Sequence, residues 1–68
     1  MAIEKVYLRD PVFEEKYLKI GGNAYITSEI STITNMRWTE INQFVRVDTA
    51  NGKILYVPRE NVAMIEDN

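Results

Sequence analysis

Apolar and polar residues alternate along most of the chain, so that about every second side chain is apolar. Val, Ile, Thr and Tyr occupy many of these positions, and a period of two in such residues is typical of strands with one buried face. Val6 and Leu8 mark a first short strand. We expect it to end at Asp10-Pro11, because proline has no N–H to donate to a neighbouring strand. Residues 12–16 are then predicted to form a loop or a single turn.

Two further pairs of alternating segments are each separated by a glycine-containing tripeptide. They are residues 17–20 and 24–27 around Gly21-Gly22-Asn23, and residues 43–49 and 53–57 around Ala50-Asn51-Gly52. Glycine supplies the positive φ of a tight reversal, and Asn-Gly between alternating runs is a strong hairpin signal. The pattern therefore predicts two β-hairpins.

Residues 28–42 do not fit either period clearly. Ile30, Ile33, Trp38 and Ile41 recur at roughly helical spacings, but the segment is rich in Thr, Ser and Asn. Those residues lower helix propensity, through restricted χ1 angles or competition for backbone hydrogen bonds. We favour a short strand at residues 31–34, followed by a long loop or one helical turn near Thr39-Glu40.

The last part of the chain predicts a closing turn and strand. Residues 58–61 begin with proline, which favours a first helical position, and indicate a 3₁₀ turn. Residues 62–65 then form a final short strand. The sum is an all-β protein, a small antiparallel barrel of five or six strands with one 3₁₀ turn, because barrel closure removes exposed strand edges. Residues 1–68 have room for one domain only.

Residues 52–65, GKILYVPRENVAMI, resemble the end of Src-homology-3-type barrels. In that family a distal hairpin, a strand, a proline-led 3₁₀ turn and a short final strand follow one another, and Pro58 and Val62 match its proline and valine. Its ligand-groove tyrosine falls at Asn61 here, and its paired tryptophans fall near Gln43-Phe44. Its acidic, aromatic N-terminal motif is missing as well. The resemblance implies a barrel of that type without a groove for polyproline peptides.

A second resemblance is looser and spans more of the chain. The matching positions are Ala24-Tyr25-Ile26, Ile30, Ile33, Val45-Arg46-Val47, Gly52, Val57 and Val62, which look like the C-terminal half of LytTR-type DNA-binding domains. That family reads DNA through loops of a β-rich fold. The first half of the family's domain is absent here and basic residues are sparse, so the resemblance implies only an alternative function.

Composition limits the chemistry that the chain can perform. It has no Cys and no His among its 68 residues, and its net charge is −2. Disulfides and thiolate or imidazole metal sites are therefore excluded, and the usual nucleophilic catalysis lacks its parts. No segment approaches the ~20 apolar residues of a membrane-spanning helix. We expect a cytoplasmic protein that is not an enzyme, with no membrane association, no cofactor and no bound metal.

Strand alternation predicts the candidate contact surface. If Leu18, Ile20, Val45, Val47, Leu55 and Val57 face the core, then Tyr17, Lys19, Phe44, Arg46, Ile54 and Tyr56 face away from it. Tyr25 is expected to join the second set, with Trp38 at its rim. Aromatic and cationic side chains are enriched at protein-interface hot spots. The predicted partner-binding residues are Tyr17, Lys19, Tyr25, Trp38, Phe44, Arg46 and Tyr56.

Three interpretations of this surface remain open. Aromatic pairs stabilise sheets on their own, and a lone Trp more often covers the core of a small domain. The favoured function is that of a protein-binding or self-assembling accessory module, and small acidic domains without cysteine suggest an origin in bacteria or their phages. The alternative is a nucleic-acid-binding regulatory protein that uses the same rings with Arg37, Lys53 and Arg59, although the net negative charge disfavours it.

Overall fold

The computed structural model describes residues 3–12, 15–26 and 29–67, except for the side chains of residues 25 and 26. This part of the chain contains seven antiparallel strands and one turn of 3₁₀ helix, joined by turns. The elements are β1 (Ile3–Val12), β2 (Glu15–Lys19), β3 (Asn23–Ile26), β4 (Glu29–Trp38), β5 (Phe44–Thr49), β6 (Ile54–Pro58), η1 (Arg59–Asn61) and β7 (Val62–Asp67). The all-β, antiparallel prediction is confirmed, but the described part of the chain has seven strands where five or six were predicted.

The strands form two sheets that curl into a half-barrel around one core. The first sheet has the order β2-β1-β7 and the second has the order β3-β4-β5-β6. Apolar side chains from both sheets meet between them and exclude water, which is the main source of stability in a domain of this size. The buried apolar side chains are Ile3, Val6, Leu8, Leu18, Ala24, Ile33, Met36, Val45, Val47 and Val57.

The first predicted hairpin is wrong. β2 pairs with β1 and β3 pairs with β4, so the Gly21-Gly22 turn carries the chain from one sheet to the other. Gly21 has the expected positive φ of 84°. Its N–H donates to the Ile33 carbonyl at 2.9 Å, and the Ile33 N–H donates to the Gly22 carbonyl at 2.8 Å. The glycines therefore hydrogen-bond to β4 instead of closing β2 onto β3.

The second predicted hairpin and the closing turn are confirmed. β5 and β6 pair from Phe44↔Pro58 to Asp48↔Ile54, and Gly52 in the turn has a φ of 85°. The Thr49 hydroxyl ties this turn by donating to the Asn51 side-chain oxygen at 2.6 Å. The 3₁₀ turn follows at Arg59–Asn61, and β7 pairs with β1.

β1 continues through Asp10-Pro11, where the sequence predicts its end. The C-terminal part of β1 pairs irregularly, so a residue without an N–H can be accommodated there. The register with β2 shifts between Tyr7 and Val12, and proline is tolerated at such irregularities. The Asn61 side chain supplies the missing backbone partners. Its oxygen accepts from the Asp10 N–H at 2.7 Å and its amide donates to the Asp10 carbonyl at 3.1 Å. Of the predicted 12–16 loop, the structure describes residues 12, 15 and 16, and all three lie in strands.

β4 extends over Glu29–Trp38, well beyond the short strand predicted at residues 31–34, and the loop or helical turn predicted to follow is reduced to a turn at residues 39–43. β4 is one ten-residue strand with a bulge, since its register with β5 passes from Ile33↔Thr49 to Asn35↔Asp48. The extra residue reverses which side chains point inward. Ile33 is buried before the bulge and Met36 after it, a spacing of three that imitates a helix. The bulge explains why this segment fits neither period.

The predicted inward and outward positions of β2, β5 and β6 are confirmed. Leu18, Val45, Val47 and Val57 are buried, and Ile20 and Leu55 are partly buried against the core. On the opposite side, the exposed residues are Tyr17, Lys19, Phe44, Ile54 and Tyr56, with Arg46 half-buried. Strand alternation therefore holds within each of these strands.

Truncating Met36 should destabilise the protein far more than truncating an exposed isoleucine. The Met36 side chain is 0% exposed and that of Ile41 is 69% exposed. Met36→Ala should cost about 2–5 kcal/mol through lost burial and a cavity, close to the ~3–5 kcal/mol that a core of this size supplies. Ile41→Ala should change the free energy of unfolding by less than about 0.5 kcal/mol. Urea unfolding followed by circular dichroism measures both, and equal effects would contradict this packing.

Candidate binding surfaces

The predicted contact residues are divided between the outer faces of two sheets. Tyr17 and Lys19 lie on β2 in the three-stranded sheet, whereas Phe44, Arg46 and Tyr56 lie on β5 and β6 in the four-stranded sheet. The Tyr25 side chain lies outside the described residues. The structure therefore presents two separate groups of rings and cations instead of one surface.

The larger group lies on the outer face of the four-stranded sheet. β5 buries Val45 and Val47, so Phe44 and Arg46 project outward. Arg46 is directly opposite Arg37 on one side and Tyr56 on the other, which gives the cross-strand row Arg37–Arg46–Tyr56. We call Arg37, Phe44, Arg46 and Tyr56 the arginine–aromatic face.

Phe44 and Tyr56 form an edge-to-face pair in this face. Their ring centroids are 6.0 Å apart and their planes are inclined at 77°. Phe44 keeps 38% of its surface exposed and Tyr56 keeps 56%. The pair is therefore held in one geometry while much of both rings still meets solvent.

The charges of this face are only partly balanced. Arg46 Nε donates to Asp48 Oδ1 at 2.8 Å, and the Asn35 amide donates more weakly to Asp48 Oδ2 at 3.5 Å. The hydrogen bond from Arg46 is the largest cause that lowers the pKa of Asp48, and Asn35 and the charge of Arg37 lower it further. Arg37 itself makes no ion pair with the described residues. One guanidinium group is thus fixed and the other is available.

Trp38 borders this face and also belongs to the core. It is half-buried and packs against the buried cluster, in line with the expectation that a lone Trp covers the core. It also lines a hollow of about 430 Å³ together with Arg37, Thr39, Glu40, Arg46 and Tyr56. Thr39 closes the β4–β5 turn there, since its N–H donates to the Phe44 carbonyl at 2.9 Å.

A second cluster lies on the outer face of the three-stranded sheet. The centroids of Tyr7 and Tyr17 are 6.2 Å apart, and Lys5 Nζ lies 4.1 Å from the centroid of Tyr17 and 4.9 Å from that of Tyr7. Such cation–π contacts are attractive, because the ring face carries partial negative charge. Lys19 is opposite Lys5 in the register. Sequence reasoning missed Lys5 and Tyr7 because it did not pair β1 with β2.

The additional basic residues of the nucleic-acid alternative are spread over the molecule. Arg37 lies on the arginine–aromatic face, Lys53 precedes β6 and Arg59 follows it. Lys53 and Arg59 are therefore at opposite ends of one strand. Both are exposed, and the structure gives neither an ion pair with another described residue.

The described residues present contact chemistry and no cluster of metal ligands. Within them, no three carboxylates lie together where they could hold a metal ion, and each buried side-chain nitrogen or oxygen has a hydrogen-bond partner. No helix in this part of the chain is long and apolar enough to cross a membrane. No protein family, curated protein or solved structure matches the chain.

Replacing Arg46 should raise the pKa of Asp48 back toward its ordinary value of 3.8. Arg46→Gln removes the strongest hydrogen bond to the carboxylate, whereas Arg37→Gln removes only a weaker, through-space charge effect. NMR titration of the Asp48 carboxyl carbon measures both pKa values. A larger rise with Arg37→Gln than with Arg46→Gln would contradict the observed pairing.

The same ion pair should make the effect of Arg46→Gln on stability depend on pH. The pKa of Asp48 is lower in the folded state, so its stabilisation is present above the ordinary carboxyl pKa and is lost as the pH falls through the lowered one. The difference in urea midpoint between the wild type and Arg46→Gln should therefore shrink on acidification below about pH 4.

Proposed function

We propose that this protein is a non-enzymatic module that binds a protein partner or a second copy of itself through the arginine–aromatic face. The observation that carries the proposal is the exposed Phe44–Tyr56 pair beside the cross-strand arginines Arg37 and Arg46. Tyr and Arg are among the residue types that dominate interface hot spots. The absence of cysteine suits a reducing compartment, and we propose a cytoplasmic location.

The Phe44 and Tyr56 rings could also serve only to stabilise the sheet. The energies expected for sheet stabilisation and for binding differ. An edge-to-face pair adds about 0.5–1.5 kcal/mol to the sheet, whereas removing a hot-spot ring costs a complex at least about 2 kcal/mol. Arg46 is already held by Asp48 at 2.8 Å, so little side-chain freedom is lost when a partner contacts it. A preorganised aromatic and cationic surface is what favours binding over simple sheet stabilisation.

The scaffold that we propose is a small barrel of the Src-homology-3-like type. The order of the β5–β6 hairpin, η1 and β7 supports it, as does Pro58 at the start of the 3₁₀ turn. Asn61 replaces the ligand-groove tyrosine of that family and instead hydrogen-bonds to the backbone of Asp10. We therefore propose a contact surface on the sheet and not in a polyproline groove.

Removing both rings should abolish partner binding or dimerisation and leave the protein folded. Phe44→Ser/Tyr56→Ser removes side chains that are 38% and 56% exposed, and Ile54→Ser removes one that is 45% exposed on the same sheet face as a matched control. Light scattering measures self-association. Quantitative mass spectrometry identifies the partner proteins that each immobilised variant retains and compares their amounts. Loss with the double variant alone is expected.

Two results of this experiment would overturn the proposal. If the double variant unfolds while Ile54→Ser does not, the rings are part of the core. If the double variant stays folded and keeps the same oligomeric state and the same retained proteins as the wild type, the arginine–aromatic face is not the contact surface.

A nucleic-acid-binding function is the second candidate, and the Arg37–Arg46–Tyr56 row favours it. A ring beside two guanidinium groups can stack a base at about 1–3 kcal/mol while the cations meet phosphates. Titration with single- and double-stranded oligonucleotides at two salt concentrations tests this function, because phosphate contacts strengthen at low salt. Binding should be lost with Tyr56→Ser and kept with Tyr17→Ser, whose ring lies on the other sheet. Absence of binding at low salt rejects the candidate.

A further inference from the structure

Among the described strands, none lies beside the outer edge of β7. Its sheet has the order β2-β1-β7, so among the described strands β7 pairs only with β1. In an antiparallel strand, alternate residues direct both N–H and C=O away from the paired neighbour. These groups form a row along a strand of six residues, about 20 Å long, which can hydrogen-bond to another extended chain.

The second half of β4 also has an unpaired side. β3 pairs with β4 only from Glu29 to Thr32, and Gly21 and Gly22 hydrogen-bond to Ile33. From residue 34 to Trp38, the described strands offer β4 a partner only on the β5 side. The half-barrel therefore has a seam where two strand edges are not hydrogen-bonded to each other.

Two adjoining hollows occupy this seam. One, of about 780 Å³, lies between residues 62–65 of β7, Trp38 and the arginines Arg9 and Arg59. The other, of about 530 Å³, is lined by Ile3, Arg37, Trp38, Ile65 and Asp67. Trp38 and Ile65 belong to both, so the hollows form one groove along β7. Its floor is apolar, since Trp38, Val62 and Ile65 pack against the core.

Arginines outnumber acidic residues in the lining of the groove by three to two, and β7 itself also carries Glu66. Arg9, Arg37 and Arg59 line it, against the two acidic residues Glu60 and Asp67. Within the described part of the chain, Arg46–Asp48 is the one ion pair, so the three groove arginines are not neutralised by an ion pair there. A basic rim on a protein of net charge −2 favours a ligand that carries carboxylates.

We propose that the β7 groove binds an extended acidic segment of a partner protein by strand addition. The segment hydrogen-bonds to the free edge of β7, places apolar side chains on Trp38 and Ile65, and directs carboxylates to Arg9, Arg37 and Arg59. Main-chain hydrogen bonds and alternate side-chain contacts are the recognition mode of such sites. The site is separate from the rings of Phe44 and Tyr56, and it meets the arginine–aromatic face at Arg37 and Trp38.

The experiment uses the whole protein and a defined pool of peptides. The probes are capped heptapeptides in which Val, Ile or Thr alternates with Glu or Asp, added at up to about 1 mM because weak strand addition falls in this range. Amide chemical shifts and hydrogen exchange report where each probe binds. Peptides that bind should slow amide exchange in residues 62–67 and shift the indole N–H of Trp38. Peptides with an N-methyl group at every second residue lack the N–H donors needed for strand pairing, and they should cause neither effect.

Charge variants test the basic rim. Arg9→Glu/Arg59→Glu should weaken binding of the acidic peptides by about tenfold or more, because both groups line the groove. Lys53→Glu/Lys16→Glu makes the same change of charge at two exposed residues that do not line it, and should weaken binding much less. Phe44→Ser/Tyr56→Ser should leave peptide binding unchanged, which separates this site from the arginine–aromatic face.

Four outcomes would overturn the inference. They are no binding by any peptide of the pool, equal binding by the N-methylated versions, equal weakening by both charge variants, and protection of residues 62–67 that rises with protein concentration alone. The last result would show that a second copy of the chain occupies the edge. None of them would alter a loss of partner binding caused by Phe44→Ser/Tyr56→Ser.

Discussion

The bulge in β4 is the constraint on which the remaining structure depends. β4 is the longest strand of the four-stranded sheet and pairs with β3 in its first half and β5 in its second. Without the extra residue between Ile33 and Asn35, strict alternation would turn Met36 and Trp38 to solvent and Arg37 to the core. The bulge instead buries Met36, sets Trp38 over the open seam and exposes Arg37 beside Arg46. Core, seam and surface all follow from it.

The same alternation that builds the core also builds the contact surfaces. The half-barrel has few residues per strand, so each buried side chain has exposed neighbours, and their chemistry decides what the sheet can contact. On β5 those neighbours are Phe44, Arg46 and Asp48. Asp48 fixes one arginine and leaves the other unpaired among the described residues. The face therefore combines one fixed guanidinium group with one that is unpaired among the described residues.

Period and turn chemistry predicted much of this fold from the sequence. The β5–β6 hairpin, the 3₁₀ turn and the buried positions of β5 and β6 follow from local signals: Asn51-Gly52, Pro58 and alternation. The sequence did not predict as well which strands pair with each other. Gly21-Gly22 has the same sequence features whether it closes a hairpin or crosses between sheets, and the deciding hydrogen bonds come from Ile33, far along the chain. For that reason the Lys5, Tyr7 and Tyr17 cluster could not be assembled from the sequence.

The four edge strands of the two sheets differ in how they discourage pairing, and this difference is consistent with the proposed role of β7. β6 ends in Pro58, which lacks an N–H, and β2 carries Lys16 and Lys19 on a strand of five residues. Charges, prolines and short length are the usual protection of exposed edges. β3 has only four residues. β7 is the longest of the four. Its last two residues, Glu66 and Asp67, are charged, but its segment from Val62 to Ile65 contains neither charge nor proline. An edge left open in this way, beside a basic groove, is better suited to pairing than to avoiding it.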